Sequence, residues 1–242
     1  PHEGPGIEAR GISLDDEVTM GLDAVRRLQA DVGCDLADCR GVMFVSPSLI
    51  PSDVARRYLD PVAASRERPA FAARQFVTRL GIPRCHAVGV NWFCCGYSRA
   101  LDLVSNRWAP RLALRGDEYI LVVASTRISR ITDYGCRQTA GLFGDMATAT
   151  LVAPVTSRRY PAHFEILQAA AQRQAIDRPA FDFHVGNDVP VPTTDGGRRA
   201  IRQRLVYSLD GMAIAEIAPR AMSSAVADAL VSAGLAPDDV DY

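Results

Sequence analysis

Lysine is absent from this 242-residue chain, so every basic residue is an arginine. Within these residues that excludes Schiff-base chemistry with pyridoxal phosphate or carbonyl substrates, and it excludes a P-loop lysine. Long apolar runs are missing too: none approaches the roughly 20 residues needed to span a bilayer. The opening P-H-E-G-P-G is polar and turn-like, unlike a signal peptide. Charge of one sign is also lacking. With 27 basic against 28 acidic residues and a formal charge of -1, the chain has no electrostatic footprint for nucleic acid or an anionic membrane. The six cysteines, Cys34, Cys39, Cys85, Cys94, Cys95 and Cys136, include no C-x-x-C pair, and the four histidines are scattered. A structural zinc site or other metal is therefore not expected. A chain of this size has no need of disulfide staples, so the cysteines read as reduced thiols in a cytoplasmic protein.

What is present is organised around Val88 to Ser98, V-G-V-N-W-F-C-C-G-Y-S. An apolar strand-like run, Arg84 to Phe93, ends at a Cys-Cys-Gly triplet, and a helical pattern over Gly96 to Leu112 follows at once. A helix start leaves backbone N–H groups unpaired and carries partial positive charge, which stabilises a thiolate there. A cysteine so placed can have its pKa drawn well below about 8.5. Gly96 would allow a tight turn and the close approach of an acyl group. Cys94 and Cys95 equally fit small buried residues at a strand–helix joint.

The rest of the chain alternates in the same way. Val18, Leu22, Val25 and Leu28 recur at helical spacing between Leu14 and Val32, behind a Ser13-to-Asp16 cap region and ahead of Gly33. Gly41 to Ser46 and Glu118 to Ser125 read as strands covered on both faces, and Pro69 to Leu80 as a helix with Pro69 early and Gly81 as its stop. Residues 47–68 read as a Pro-rich loop with room for a helical turn near Asp53 to Tyr58. Thr139 to Val152 is strand-like but broken by glycines and small residues. Alternating strands and helices predict an α/β layered fold with a mostly parallel sheet, ligands lying beyond the carboxyl ends of the strands.

The spacing divides the chain into three parts. Residues 1–156 carry the alternating pattern. Residues 157–205 are rich in Arg and Pro and read as an irregular cap or excursion, with one helix at Phe164 to Gln174. His163 and His184 fall there and read as solvated. In residues 206–242 order returns at Val206, and a long helix is predicted between Leu209 and Ala233 from Ile214, Ile217, Met222, Val226 and Leu230, with Gly234 as its stop.

Several segments together resemble the ketoacyl-acyl-carrier-protein synthase III branch of the thiolase superfamily. F-C-C-G-Y resembles that family's A-C-A-G-F nucleophile turn, and C-R-Q-T-A-G-L-F-G-D resembles its D-R-x-T-x-x-x-F-G-D. L-V-V-A-S is similar to the strand between them, and A-G-L-A-P-D-D-V-D-Y to the segment before the family's catalytic histidine. The likeness implies a thiolase-like layered fold in which the N-terminal half is nearly complete and the C-terminal half truncated. It covers most of residues 7–155 and 206–242.

The resemblance implies acyl transfer or decarboxylative condensation through a thioester on Cys94, with no bound cofactor and with acyl-coenzyme A or acyl carrier protein as partner and substrate. Alignment on Gly96 chooses Cys94 over Cys95. Arg137 matches the arginine that contacts the coenzyme A nucleotide, although a solvated surface arginine fits as well. Phe93 and Trp92 suit either core packing or the narrowing of an acyl tunnel. Asp145 reads as a turn-forming carboxylate, and Met146 and Thr148 add bulk where the family is thin. A homodimer is implied, paired through the strand before the nucleophile. The family's histidine and asparagine fall beyond Tyr242 and its opening strand before Pro1, and His86 on the strand entering the corner does not replace that histidine. Two other readings remain: a catalytically idle thiolase-fold partner subunit, and acyl transfer to a hydroxyl or amine without condensation.

Overall fold

The computed structural model describes residues 11–49, 68–133, 136, 139, 141–169, 181–187 and 203–240. Its first helix, α1 (Glu17–Val32), starts where Asp16 takes an extended conformation and its side chain accepts the Thr19 N–H at 2.7 Å. The helix ends at Gly33, whose left-handed φ of 65° only glycine adopts freely. Ser13 to Asp16 precede the helix, as the cap region expected there, with Asp16 as the N-cap. There the Ser13 N–H bonds Asp145 at 2.8 Å and the Asp15 N–H bonds the Ser13 hydroxyl.

Four strands form one sheet: β1 (Cys39–Val45), β2 (His86–Val90), β3 (Tyr119–Thr126) and β4 (Met146–Val152), in the order β2-β1-β3-β4. The pairs β2–β1 and β1–β3 are parallel and β3–β4 is antiparallel, so the expected mostly parallel α/β sheet is present. Side chains alternate between the faces. Val42, Phe44, Leu121 and Val123 pack under α1 and α2 (Pro69–Arg79), with Phe76 fully buried there. Met43, Val45, Ile120 and Val122 pack under α3 (Gly96–Leu103) on the other face. Helices cover both faces, which explains why these strands read as continuous apolar runs.

Three strand and helix bounds differ from expectation for local reasons. Strand β2 stops at Val90 because Asn91 turns its side chain on the backbone, its Oδ1 accepting the Phe93 N–H at 3.2 Å. Strand β4 begins only at Met146, after the Gly141 and Gly144 region. The helix expected over Gly96 to Leu112 is divided into α3, a π turn at Val104–Trp108, and α4 (Ala109–Leu112). Pro110 has no N–H for the usual bond back, and the Ala109 N–H reaches five residues back to Val104 instead.

The described residues between 157 and 205 are more ordered than an irregular cap. The Ser157 hydroxyl and the Arg158 and Arg159 N–H groups all bond Asp117, and Tyr160 lies in the core edge-on to Tyr119. No helix forms over residues 161–169, and the remainder of the expected Phe164 to Gln174 helix lies outside the described residues. A strand missed in the sequence, β5 (Phe181–Asn187), pairs antiparallel with β6 (Gln203–Leu209). His184 is therefore not a solvated loop residue; its Nε2 lies 3.1 Å from Asp133. Asp210 then caps α5 (Gly211–Ala233) by accepting the Met212 and Ala213 N–H groups, and Gly234 at φ 71° ends it. Of the apolar stripe read along α5, Met222 and Val226 are exposed.

Candidate functional site

Because β1, β2 and β3 are parallel, their carboxyl ends share one edge of the sheet, and the polypeptide leaving β2 makes the corner that carries Cys94. Its strained residue is Phe93, with φ 46°. A bulky aromatic in this region is uncommon and stays there only when its surroundings hold it. They do so through two contacts of Asn91: its Oδ1 accepts the Phe93 N–H, and its amide Nδ2 donates a short hydrogen bond to the Leu49 carbonyl oxygen after β1. Phe93 to Cys95 then form one 3₁₀ turn, the Cys95 N–H bonding Trp92 O at 3.1 Å, and α3 starts at Gly96.

Of the roles expected of Gly96, the tight turn is not present. Its φ of -59° is helical, so it does not provide the turn. A Cβ there would lie 2.7 Å from Val45 Cγ1, so glycine is required for α3 to sit down on β1. Arg99 stacks over Trp92 at 4.8 Å and bonds Asp102, and the Tyr97 hydroxyl meets Thr150 on β4 at 2.9 Å. The start of the helix is thus tied to both neighbouring strands.

Cys94 and Cys95 are both exposed rather than buried small residues. The expected depression of the Cys94 pKa is not present. Protein packed on one side of the sulfur pushes its pKa above the ordinary thiol value, and Cys95 adds to this. Cys94 lies in the 3₁₀ turn ahead of α3, and the bond to its own backbone is too weak to reverse the burial. Across from it stands Tyr207 of β6, its hydroxyl pKa raised first by burial and then by the Cys94 charge.

The β5–β6 pair brings an aromatic group to the corner. Phe93 lies 6.4 Å from Phe183, which lies 6.2 Å from Tyr207, and Phe143 lies 5.8 Å from Tyr207. Phe93 is therefore packed into a cluster with Ile128 and Ile131. Asp145 holds the adjoining turn, accepting from the Ser129 N–H and hydroxyl and from the Ser13 N–H. This is the turn-forming role read from F-G-D.

The other expected residues are not gathered here. Arg137 lies outside the described residues. His86 begins β2, at the opposite end of that strand from the corner, and His163 is exposed in the segment after β4. Asn91 and Tyr207 are contributors that the sequence reading missed. The asparagine directly after an apolar run was a usable signal, whereas Tyr207 reaches the corner only through the β5–β6 pairing. A groove of about 910 Å³ runs behind the corner past Tyr97, Leu101 and Tyr160, and Cys94 does not line it.

Residues 90–172 match the family described as 3-Oxoacyl-[acyl-carrier-protein (ACP)] synthase III. Relatives include a Geobacillus kaustophilus beta-ketoacyl-[acyl-carrier-protein] synthase III, 27% identical over 98% of this chain and 63% of its own. A Streptomyces coelicolor synthase of the same description is 28% identical, again over 98% and 63%. The chain is synthase III-like. This synthase III-like chain spans about 63% of the length of those two relatives. In fold it matches the crystal structure of the Aquifex aeolicus 3-oxoacyl-[acyl-carrier-protein] synthase III, with TM-score 0.61 at 16% identity over 97% of this chain and 63% of that one. The priming beta-ketosynthase from the R1128 polyketide pathway matches with TM-score 0.58 at 21% identity, over 97% and 61%. The family match begins at Val90 and so contains the whole corner.

Proposed function

We propose that this chain supplies the nucleophile of a condensing acyltransferase of fatty-acid or polyketide synthesis, and that Cys94 takes an acyl group as a thioester. The observation that carries this reading is the surface position of Cys94 on a strained turn at the carboxyl end of β2, inside the segment that matches the synthase III family. Deprotonated Cys94 Sγ attacks the carbonyl carbon of an acyl thioester of coenzyme A or acyl carrier protein. The bond from that carbon to the donor sulfur breaks, and the departing thiolate takes up a proton. The Asn91 contacts fix Phe93, and Phe93 fixes the direction in which Cys94 points, so the approach geometry is set before substrate arrives. Gly96 acts through packing, Phe93 borders the acyl site, and Arg137 is the proposed contact for the coenzyme A nucleotide. No tightly bound cofactor is part of this reading.

The test is incubation with a radiolabelled acyl-coenzyme A followed by peptide mapping. Label on Cys94, lost in Cys94→Ala and kept in Cys95→Ala, is the expected result; label on Cys95 alone overturns the assignment.

A second reading, an idle thiolase-fold subunit that shapes a partner's site, is favoured by the burial that keeps the Cys94 thiol protonated. It predicts no label on this chain by itself. Adding a malonyl donor separates condensation from simple transfer to a hydroxyl or amine. Two copies are proposed to pair through β2, whose place at the edge of the sheet supports the homodimer; light scattering showing only monomer counts against it. Among the described residues no helix is long and apolar enough to cross a membrane, and a cytoplasmic location is part of the proposal.

A further inference from the structure

At the amino end of the same sheet, away from the corner, a second pair of thiols meets. Cys39 opens β1 and Cys85 directly precedes β2, and their sulfurs lie 3.9 Å apart although 46 residues separate them. The β1–β3 register shifts between Cys39 and Gly41, so Arg40 is the extra residue and points outward while Cys39 turns inward. Cys39 is buried and Cys85 half-buried. The pair floors a groove of about 490 Å³ whose rim carries Arg40, Arg84 and His86, all exposed. Glu118 approaches Arg40 at 3.5 Å, a loose and solvated contact. No group of three or more possible metal ligands occurs among the described residues, so the pair does not form part of such a cluster.

We propose that Cys39 and Cys85 form a redox-active dithiol site that exchanges with a low-molecular-weight disulfide carrying carboxylates, drawn in by Arg40 and Arg84. Cys85 is the attacking thiol because it reaches the groove, and Cys39 behind it is the resolving thiol. The hydrogen bond from Cys39, with a contribution from Arg40, lowers the Cys85 pKa, and the same contact together with burial raises that of Cys39. In the first step Cys85 thiolate attacks one sulfur of the small disulfide. That S–S bond breaks, a mixed disulfide forms on Cys85, and the released thiolate is protonated. In the second, Cys39 gives up its proton and attacks Cys85 Sγ, forming the Cys39–Cys85 bond and releasing the second small thiol. The protein loses two electrons and two protons, and the small disulfide gains them as two thiols.

The intact chain is equilibrated in glutathione buffers of graded oxidised fraction, trapped with an alkylating agent and peptide-mapped. The expected result is a Cys39–Cys85 peptide link that rises with oxidised glutathione and disappears with dithiothreitol. Cys39→Ser should accumulate a glutathionyl adduct on Cys85, and Cys85→Ser should leave Cys39 unmodified. Arg40→Ala with Arg84→Ala should slow oxidation by glutathione disulfide several-fold but not by uncharged hydroxyethyl disulfide. Free Cys39 and Cys85 at every buffer composition in the unaltered chain overturn the site. Equal rates for the two disulfides before and after arginine removal overturn the anionic partner. Neither readout passes through Cys94.

Discussion

The two ends of the central sheet each present a pair of thiols, and the pairs are built in opposite ways. At the carboxyl end Cys94 and Cys95 are neighbours in sequence, both exposed, on a turn held in place by Asn91 and by Gly96 against Val45. At the amino end Cys39 and Cys85 are joined only by the pairing of β1 with β2, and one is buried behind the other. A thiol's use follows from how it is presented. A surface cysteine on a strained turn suits attack on a carbonyl, whereas two sulfurs 3.9 Å apart suit closure of a disulfide.

The largest difference between the ends should be seen with Cys94→Ala. All acyl label should vanish in peptide mapping, while Cys85→Ala keeps full labelling; label that survives Cys94→Ala removes the distinction. Next is Gly96→Ala, in which the new Cβ meets Val45 at 2.7 Å. Overpacking at that joint should cost about 1–3 kcal/mol in denaturant unfolding, and an unchanged midpoint would mean that α3 is not seated there.

Alkylation by iodoacetamide between pH 6 and about 10 sharpens the comparison further, since only thiolates react. Cys94 is raised, so its rate should climb at higher pH than that of an ordinary cysteine; Cys85 is lowered, so its rate should climb earlier. At neutral pH the half-buried Cys85 should react several-fold faster than the exposed Cys94. The reverse order would mean that exposure outweighs charge. The smallest effect concerns Asp117, which anchors the Ser157 to Tyr160 turn at the amino end. Backbone and Ser157 hydrogen bonds hold its pKa below 3.8. Its contribution is therefore present above that value and lost as pH falls through the folded pKa. Asp117→Asn should lower the melting temperature slightly at pH 7 and not at pH 2, by calorimetry; an equal loss at both would assign the effect to packing.

Much of this was legible beforehand because the deciding forces are local. Apolar runs bounded by glycine and proline gave the strands β1 and β3, and Asp16, Gly33 and Gly234 marked helix ends through caps that act within a turn. Strand β5 was hidden because its flanks are rich in Arg and Pro and mask the alternation of a short strand. The burial of Tyr160 was hidden because its partners Asp35, Asp38 and Tyr119 come from other segments. The packing demand at Gly96 was hidden because sequence does not distinguish a glycine needed for φ from one needed for space.

The sequence by itself determined the alternating α/β order, the thiol at a strand–helix corner and the likeness to the synthase III family, since each is written in neighbouring residues. Tertiary structure alone decided that Phe93 rather than Gly96 bears the strain, that burial raises the Cys94 pKa, that Tyr207 faces it, and that Cys39 meets Cys85. The physical reason is common to all four: desolvation, close approach and charge depend on which distant segments share a space, and that is settled only when the strands pair.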